Sequence, residues 1–319
     1  MKANASASSG VYTPPKQGYF TRLRRNVRAY LSLYLLIIPV IAFYLLFKYV
    51  PMLGNIIAFE NYRPARGFLG SKWVGLRNFK DFLSGPFAGR TIRNTIEISL
   101  LQLAFGFPAP IILAILVNEL RPGLYKKTVQ TVSYLPYFVS LVVVCGMVKN
   151  FTVTSGLFND VRALMGMERI NMLTDVRYYR TLYVGSSIWQ SCGWGSILYL
   201  ATITNADPQL YEAATMDGAG RFAKMWHITL PTLIPIIVVQ LVMRVGHIMS
   251  MGSERTILLY SPVVYDKADI ISSFVYRYGL QELNFSYGAA VDLFNSVVNL
   301  ILLVLVNKAA DALTGESLW

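Results

Sequence analysis

The chain has 319 residues, 54% of them hydrophobic and 14% charged, with a mean hydropathy of +0.45. That is too apolar for a soluble domain with a polar surface, so most of the chain is expected to lie in lipid. The formal net charge is +12, yet the basic residues are spread over segments that flank apolar runs rather than gathered on one face, which argues against nucleic-acid binding.

Residues 1–28 open on a polar, Ser/Ala-rich stretch with no cleavage site after a short apolar core, so no signal peptide is expected to be removed. Lys16, Arg22, Arg24, Arg25 and Arg28 then alternate with Phe20, Leu23, Val27 and Tyr30 at helical spacing, which predicts a basic interfacial segment on the cytoplasmic side. Crossing a hydrocarbon core takes about 20 apolar residues in a helix. Runs of that kind lie at Ala29–Tyr49, Asn94–Asn118, Thr128–Val148, Leu182–Thr204, Leu230–Ser250 and Ala289–Lys308.

The expected fold is therefore all-α and integral to the membrane: six transmembrane helices forming one domain over residues 29–310, with a cytoplasmic tail at 311–319. Arg121, Lys126 and Lys127 in the short loop after the second span place that loop in the cytoplasm, and six spans then return both termini there. The long external loops are also rich in Arg and Lys, but long loops cross membranes largely regardless of charge. Pro39, Pro108, Pro110, Pro136, Pro231 and Pro235 are helix breakers within or at the start of spans. Cys145 and Cys192 fall inside spans with no metal-like spacing, so they are read as packing residues and no metal site is expected.

The segment from Asn205 to Pro231, between the fourth and fifth spans, has the local chemistry of two short helices. Asp207 can cap a first turn and Pro208 follows where its missing N–H costs nothing, so a helix starts at Pro208. It carries Leu210, Ala213 and Ala214 on one side with Glu212 nearby, and Gly218 and Gly220 permit a sharp break. Phe222, Met225 and Trp226 form a second amphipathic turn before Pro231. Such a finger suits either a groove in a partner protein or the lipid surface.

Glu212-Ala213-Ala214, three residues, Gly218, nine residues, Ile228, one residue and Leu230-Pro231 together resemble the EAA motif of binding-protein-dependent ABC importer permeases. The rest of the chain is similar to the carbohydrate-uptake branch of LplB- and YteP-type oligosaccharide permeases, with Lys48-Tyr49-Val50-Pro51, Ile57-Ala58-Phe59, residues 73–79 and Ser296-Val297-Val298-Asn299 as further marks. The resemblance implies that Glu212, Ala213, Ala214 and Gly218 dock on a separate ATPase as a coupling helix. It implies further partners too: a second, homologous permease, two ABC ATPase subunits that hold ATP and Mg, and an extracellular solute-binding protein that delivers the sugar to the bacterial cell membrane. The chain contains no G-x-x-x-x-G-K-S/T loop and so no nucleotide site of its own; it is expected to be no enzyme by itself and to bind no cofactor.

Arg244 in the fifth span would be costly in lipid unless it faces a cavity or a partner, which points either to substrate contact or to an ion pair between helices, with Asp292 as a partner. Trp189, Gln190 and Trp194 offer the aromatic faces and amide that sugars bind, and Asn295 and Asn299, one turn apart, are comparable candidates. His247 has no carboxylate at helical spacing and is read as a satisfied core residue. The surplus of Arg and Lys in external loops, with Arg244, favours an acidic oligosaccharide such as a pectin or alginate fragment. The alternatives are an ion- or proton-coupled secondary transporter, for which paired midplane carboxylates and internal repeats would be expected, and a membrane scaffold with no transport role.

Overall fold

Apolar runs of this length satisfy their backbone groups in lipid only by coiling, and in a computed structural model they do so. The structure describes residues 30–250 and 252–314. The expected interfacial segment at 1–28 and the end of the tail lie outside the described residues. Five helical stretches are long and apolar enough to cross a membrane: Leu31–Phe59, Ala88–Asn118, Leu141–Leu164, Arg221–Gly246 and Phe285–Ala312.

The chain divides into two compact units, one ending at Asn55 and one beginning at Ile56. The described part of the first is α1 (Leu31–Tyr44), prolonged by a π turn at Leu45–Tyr49 and a last turn at Val50–Leu53. None of these residues is buried.

The second unit starts with a two-residue antiparallel pair, β1 (Glu60–Asn61) with β2 (Lys72–Trp73), and α2 (Arg77–Leu83). Next come α3 (Ala88–Leu101) and α4 (Pro108–Asn118), joined by a π turn at Gln102–Gly106. The expected single helix at Thr128–Val148 is broken. α5 (Leu124–Tyr134) runs into a 3₁₀ turn at Leu135–Phe138, and α6 (Leu141–Thr152) restarts on Ser140, whose Oγ accepts from the Val143 N–H at 3.4 Å. Pro136 cannot supply the N–H that a continuous helix needs, and Ser140 caps the restart.

After α7 (Leu157–Leu164), α8 extends from Val176 to Thr204, six residues earlier than expected. Asp175 caps it by accepting from the Arg177 N–H at 2.9 Å, and the Arg177 side-chain hydrogen bond holds the Asp175 carboxyl down at about 2, so the cap stays ionised. α8 has the length to span a bilayer, but its Ser, Gly, Tyr and Arg content keeps it out of the apolar class of the other five.

α9 (Pro208–Met216) and α10 (Arg221–Lys224) follow, and α10 continues through a π turn at Met225–Thr229 into α11 (Leu230–Gly246). The helix of the expected fifth span therefore begins at Arg221, not at Leu230. α12 (Ser253–Leu259) and the short helical segments at Ile271–Phe274 and Val275–Gln281 lead to α13 (Phe285–Thr314).

Buried polar groups tie the 253–281 segment to the helices beneath it. Asp269, fully buried, accepts from Arg90 at 3.1 Å, Arg277 at 2.7 Å and Ser273 Oγ at 2.9 Å. Asn94 Nδ2 donates to the Asp266 and Asp269 carbonyls at 3.0 and 3.1 Å, while its Oδ1 accepts from Arg180 at 2.8 Å. Arg180 also pairs with Glu97, which explains why a charged stretch can belong to α8.

Where apolar burial no longer drives association, close backbone approach does the work, and small residues permit it. α8 crosses α5 at Gly193, where a Cβ would overlap the Ser133 carbonyl. At Gly195 a Cβ would sit 3.1 Å from Pro110 Cγ, and at Gly185 it would meet nothing within 4 Å. Gly193→Leu is expected to lower the thermal midpoint of the detergent-purified protein strongly, by about 1–3 kcal/mol of overpacking or more. Gly195→Ala should cost less and Gly185→Ala close to nothing; equal midpoints for the three would rule out the crossing as the cause.

Candidate functional site

Three helices contribute polar residues at intervals of three or four, so each set shares a helix face. α3 and the start of α4 bring Ser99, Gln102, Gly106 and Pro110; α8 brings Tyr183, Ser187, Ser191 and Gly195; α11 brings Gln240 and Arg244, followed by His247 just past its end. These faces enclose two cavities. One, of about 260 Å³, is walled by Ser99, Gln102, Tyr183, Ser187, Arg244, His247 and Ser250. The other, of about 300 Å³, is walled by Phe107, Pro110, Ser191, Trp194, Tyr199, Gln240 and Arg244.

Arg244 belongs to both walls, so it stands where the two cavities meet. It makes no ion pair among the described residues, and the expected partner Asp292 is itself exposed and unpaired among them. The structure thus sets Arg244 in both cavity walls and gives it no ion pair among the described residues. Among the described residues no Asp or Glu lines either wall, so the fixed charge there is cationic. His247 is exposed and lines the first cavity, a correction to its reading as a satisfied core residue.

The other candidates are distributed unevenly. Trp194 lies in the second cavity's wall, with its ring stacked on Tyr137 at 4.6 Å and against the edge of Phe138 at 5.7 Å. Trp189, five residues earlier, faces away into an apolar cavity of about 320 Å³ with Val144, Met147, Phe151 and Phe158.

Gln190 is committed at both ends: its Nε2 donates to the Val139 carbonyl at 2.9 Å, and its Oε1 accepts from Arg255 at 2.6 Å. Asn295 and Asn299 are buried and grip the chain just beyond α11. Asn295 Nδ2 donates to the Met249 carbonyl at 3.0 Å; Asn299 Oδ1 accepts from the Met249 N–H at 2.9 Å, and its Nδ2 donates to Ser250 Oγ at 2.6 Å. Asn299 reaches the first cavity's wall through Ser250, and neither amide is part of its lining.

Sequence reasoning on single residues missed Gln102, Ser187, Ser191 and Gln240. Their signal is collective: one polar or small residue per turn over three or four turns of an otherwise apolar helix.

The second feature is the loop between α8 and α11. Asp207 Oδ1 accepts from the Gln209 N–H at 2.9 Å, as a cap should, and Pro208 opens the helix. Nothing in α9 is buried: Glu212, Ala213 and Leu210 are exposed and Ala214 half-exposed. Gly218 closes the helix with φ +78, the left-handed conformation glycine tolerates best. Phe222 and Trp226 are 82% and 65% exposed, so the loop presents an apolar surface. Lys224 Nζ donates to Thr215 Oγ at 2.7 Å and the Tyr211 hydroxyl pairs with Thr229 Oγ1 at 3.0 Å, pinning α9 to the helix that becomes α11.

A multi-pass helical body with a polar, cationic interior face and a protruding helix between two long helices defines a membrane permease. Residues 99–314 match the family described as binding-protein-dependent transport system inner membrane component, and the chain belongs to that family. It is 45% identical over 288 residues to the polygalacturonan/rhamnogalacturonan transport system permease protein YteP of Bacillus subtilis (strain 168), covering 90% of both chains. It is 44% identical over 288 residues to protein LplB of the same strain, covering 90% of this chain and 91% of that one. A chain of the crystal structure of a bacterial ABC transporter involved in the import of the acidic polysaccharide alginate superposes with a TM-score of 0.86 at 39% identity, over 92% of this chain and 99% of that chain.

Proposed function

We propose that the chain is the permease subunit of an ATP-driven importer, with six spans and both termini in the cytoplasm, and that it carries acidic oligosaccharides handed over by an extracellular solute-binding protein. The observation that carries the substrate class is Arg244: one guanidinium shared by two polar cavities, with no carboxylate to neutralise it among the described residues. A carboxylate-bearing sugar supplies the missing partner, and Trp194 supplies an apolar face for the ring carbons. Relatives named for polygalacturonan/rhamnogalacturonan transport and for alginate import support the same class.

Energy reaches this path from outside the chain. Glu212, Ala213, Ala214 and Gly218 form the docking surface for an ATPase subunit, and two such subunits hold ATP and Mg. A second, homologous permease completes the channel whose open side this chain presents. ATP and sugar are coupled because each favours one of two packings of the same helices. A secondary transporter fits less well: Glu97, an acid within the spans, is spent on Arg180 and Arg93.

Uptake by the reconstituted complex should favour uronate oligosaccharides over neutral ones of equal length. Arg244→Gln should reduce uronate uptake by about 10–100-fold, the loss of a charged hydrogen bond of about 1.5–3 kcal/mol. Equal or better uptake of the neutral series by the unsubstituted complex would overturn the acidic class.

A further inference from the structure

We propose that Arg255 is a second carboxylate-binding residue of the same path, and that Gln190 is the residue that positions it. The proposal rests on the reading of the chain as an importer of acidic oligosaccharides. Arg255 lies in α12 and is half-buried. Its guanidinium donates to Ser186 Oγ at 3.1 Å and to Gln190 Oε1 at 2.6 Å, both on α8. Both acceptors are neutral, and Arg255 has no carboxylate within ion-pair distance among the described residues. The neighbouring cations differ: Arg90 and Arg277 share Asp269, and Arg180 pairs with Glu97.

A guanidinium has five N–H donors in a planar fork matched to a carboxylate. Held only by a hydroxyl and an amide, it keeps its full charge in a partly desolvated site, where an anion gains most by arriving.

Location supplies the second argument. Ser186 and Gln190 neighbour Tyr183, Ser187 and Ser191 on α8, which wall the two polar cavities, while Ser186 itself lines the apolar cavity that holds Trp189. Gly252, three residues before Arg255, lines the cavity to which Arg244 contributes. Arg255 lines no cavity wall itself but stands one helical turn from Gly252, so that the proposed path has two guanidinium groups without a carboxylate partner among the described residues.

The way Gln190 is held supplies the third. The Val139 carbonyl can only accept, so the Gln190 amide must turn its NH₂ toward Val139, and its Oε1 is thereby presented to Arg255. The side chain expected to touch sugar instead fixes the orientation of the cation that does. A polyuronate carries a carboxylate on each sugar and can satisfy Arg255 and Arg244 together; a neutral chain satisfies neither.

The test compares uptake of oligogalacturonate with its methyl ester of the same length by the complete transporter. The acid-to-ester ratio is compared between variants, so the binding protein's own preference cancels. Arg255→Gln is expected to lower the ratio about tenfold, and Arg255→Lys to retain part of it as a point charge. Gln190→Glu is expected to lower the ratio like Arg255→Gln, because it sets a carboxylate against the guanidinium; a role limited to packing would leave the ratio unmoved. Should Arg255→Gln fail to co-elute with its partner subunits, the other two variants decide. An unchanged ratio in the Arg255 and Gln190 variants, with a lowered one in Arg244→Gln, would overturn the assignment of Arg255 and leave the acidic-substrate reading standing. Preference of the unsubstituted transporter for the ester would overturn both.

Discussion

Gly218→Val is expected to strip the purified permease of its ATPase and to bring uptake close to zero. The cause is conformational and not steric, since a Cβ on Gly218 would meet nothing within 4 Å. At φ +78 a β-branched side chain is strained by about 1–3 kcal/mol, and the exit from α9 would relax to another conformation. Two hydrogen bonds close that exit, Gly218 N–H to the Thr215 carbonyl at 3.1 Å and Ala219 N–H to the Ala214 carbonyl at 2.8 Å. Losing them would re-aim Glu212, Ala213 and Ala214 as a unit. Gly218→Asn should be tolerated better, because asparagine enters the left-handed region more readily. Gly220→Ala, with an open surround and an ordinary φ, should behave like the unsubstituted protein. ATPase co-purification and uptake measure the series; full retention of both by Gly218→Val would remove the docking role from this loop.

Asp269→Ala is expected to be the most destabilising single change outside the loop, at about 3–5 kcal/mol, because it strands two guanidinium groups that one buried carboxylate now serves. Arg277 would keep its place over the Tyr265 ring, 4.3 Å from the centroid, but without its counter-charge. The 253–281 segment would then depend on backbone contacts: Asn94 with the 266 and 269 carbonyls, and Thr95 Oγ1, which accepts from the Ile271 N–H at 2.9 Å. Asp269→Asn keeps the shape and loses the charge, and should fall between. Thermal midpoints of the detergent-purified complex and proteolysis within 253–281 report the effect; an unchanged midpoint for Asp269→Ala would show that the arginines find other partners.

What the sequence made legible follows from which physical signals are local. The cap at Asp207, the helix start at Pro208 and the glycine exit at Gly218 each depend on a few neighbouring residues, and all three stand as read. Hydropathy located the expected second and sixth spans to within several residues and the C-terminal end of the fifth, whose helix starts nine residues earlier, at Arg221. It could not see the break between α5 and α6, because the turn at Leu135–Phe138 is as apolar as the helices it separates. It also began α8 too late, since Arg180 looks like a loop residue until Glu97 and Asn94 are brought to it from α3. The cavity candidates were legible by chemical type but not by direction. Arg244 and Trp194 face the cavities, Trp189 faces the apolar side, and the amides of Gln190, Asn295 and Asn299 are engaged by backbone, hydroxyl or guanidinium groups that no spacing rule brings into view.

The unbroken run from Arg221 to Gly246 makes a lever of these separate parts. With 1.5 Å per residue, about 35 Å separates its foot from Arg244, and the foot is lashed to α9 by Lys224–Thr215 and Tyr211–Thr229. A rocking of about 10° about the middle of such a rod would displace each end by about 3 Å, in opposite directions. That is enough to make or break a hydrogen bond at the guanidinium, so under the proposed docking a stroke delivered at the loop would be read as release at the far end without any bond along the rod being broken.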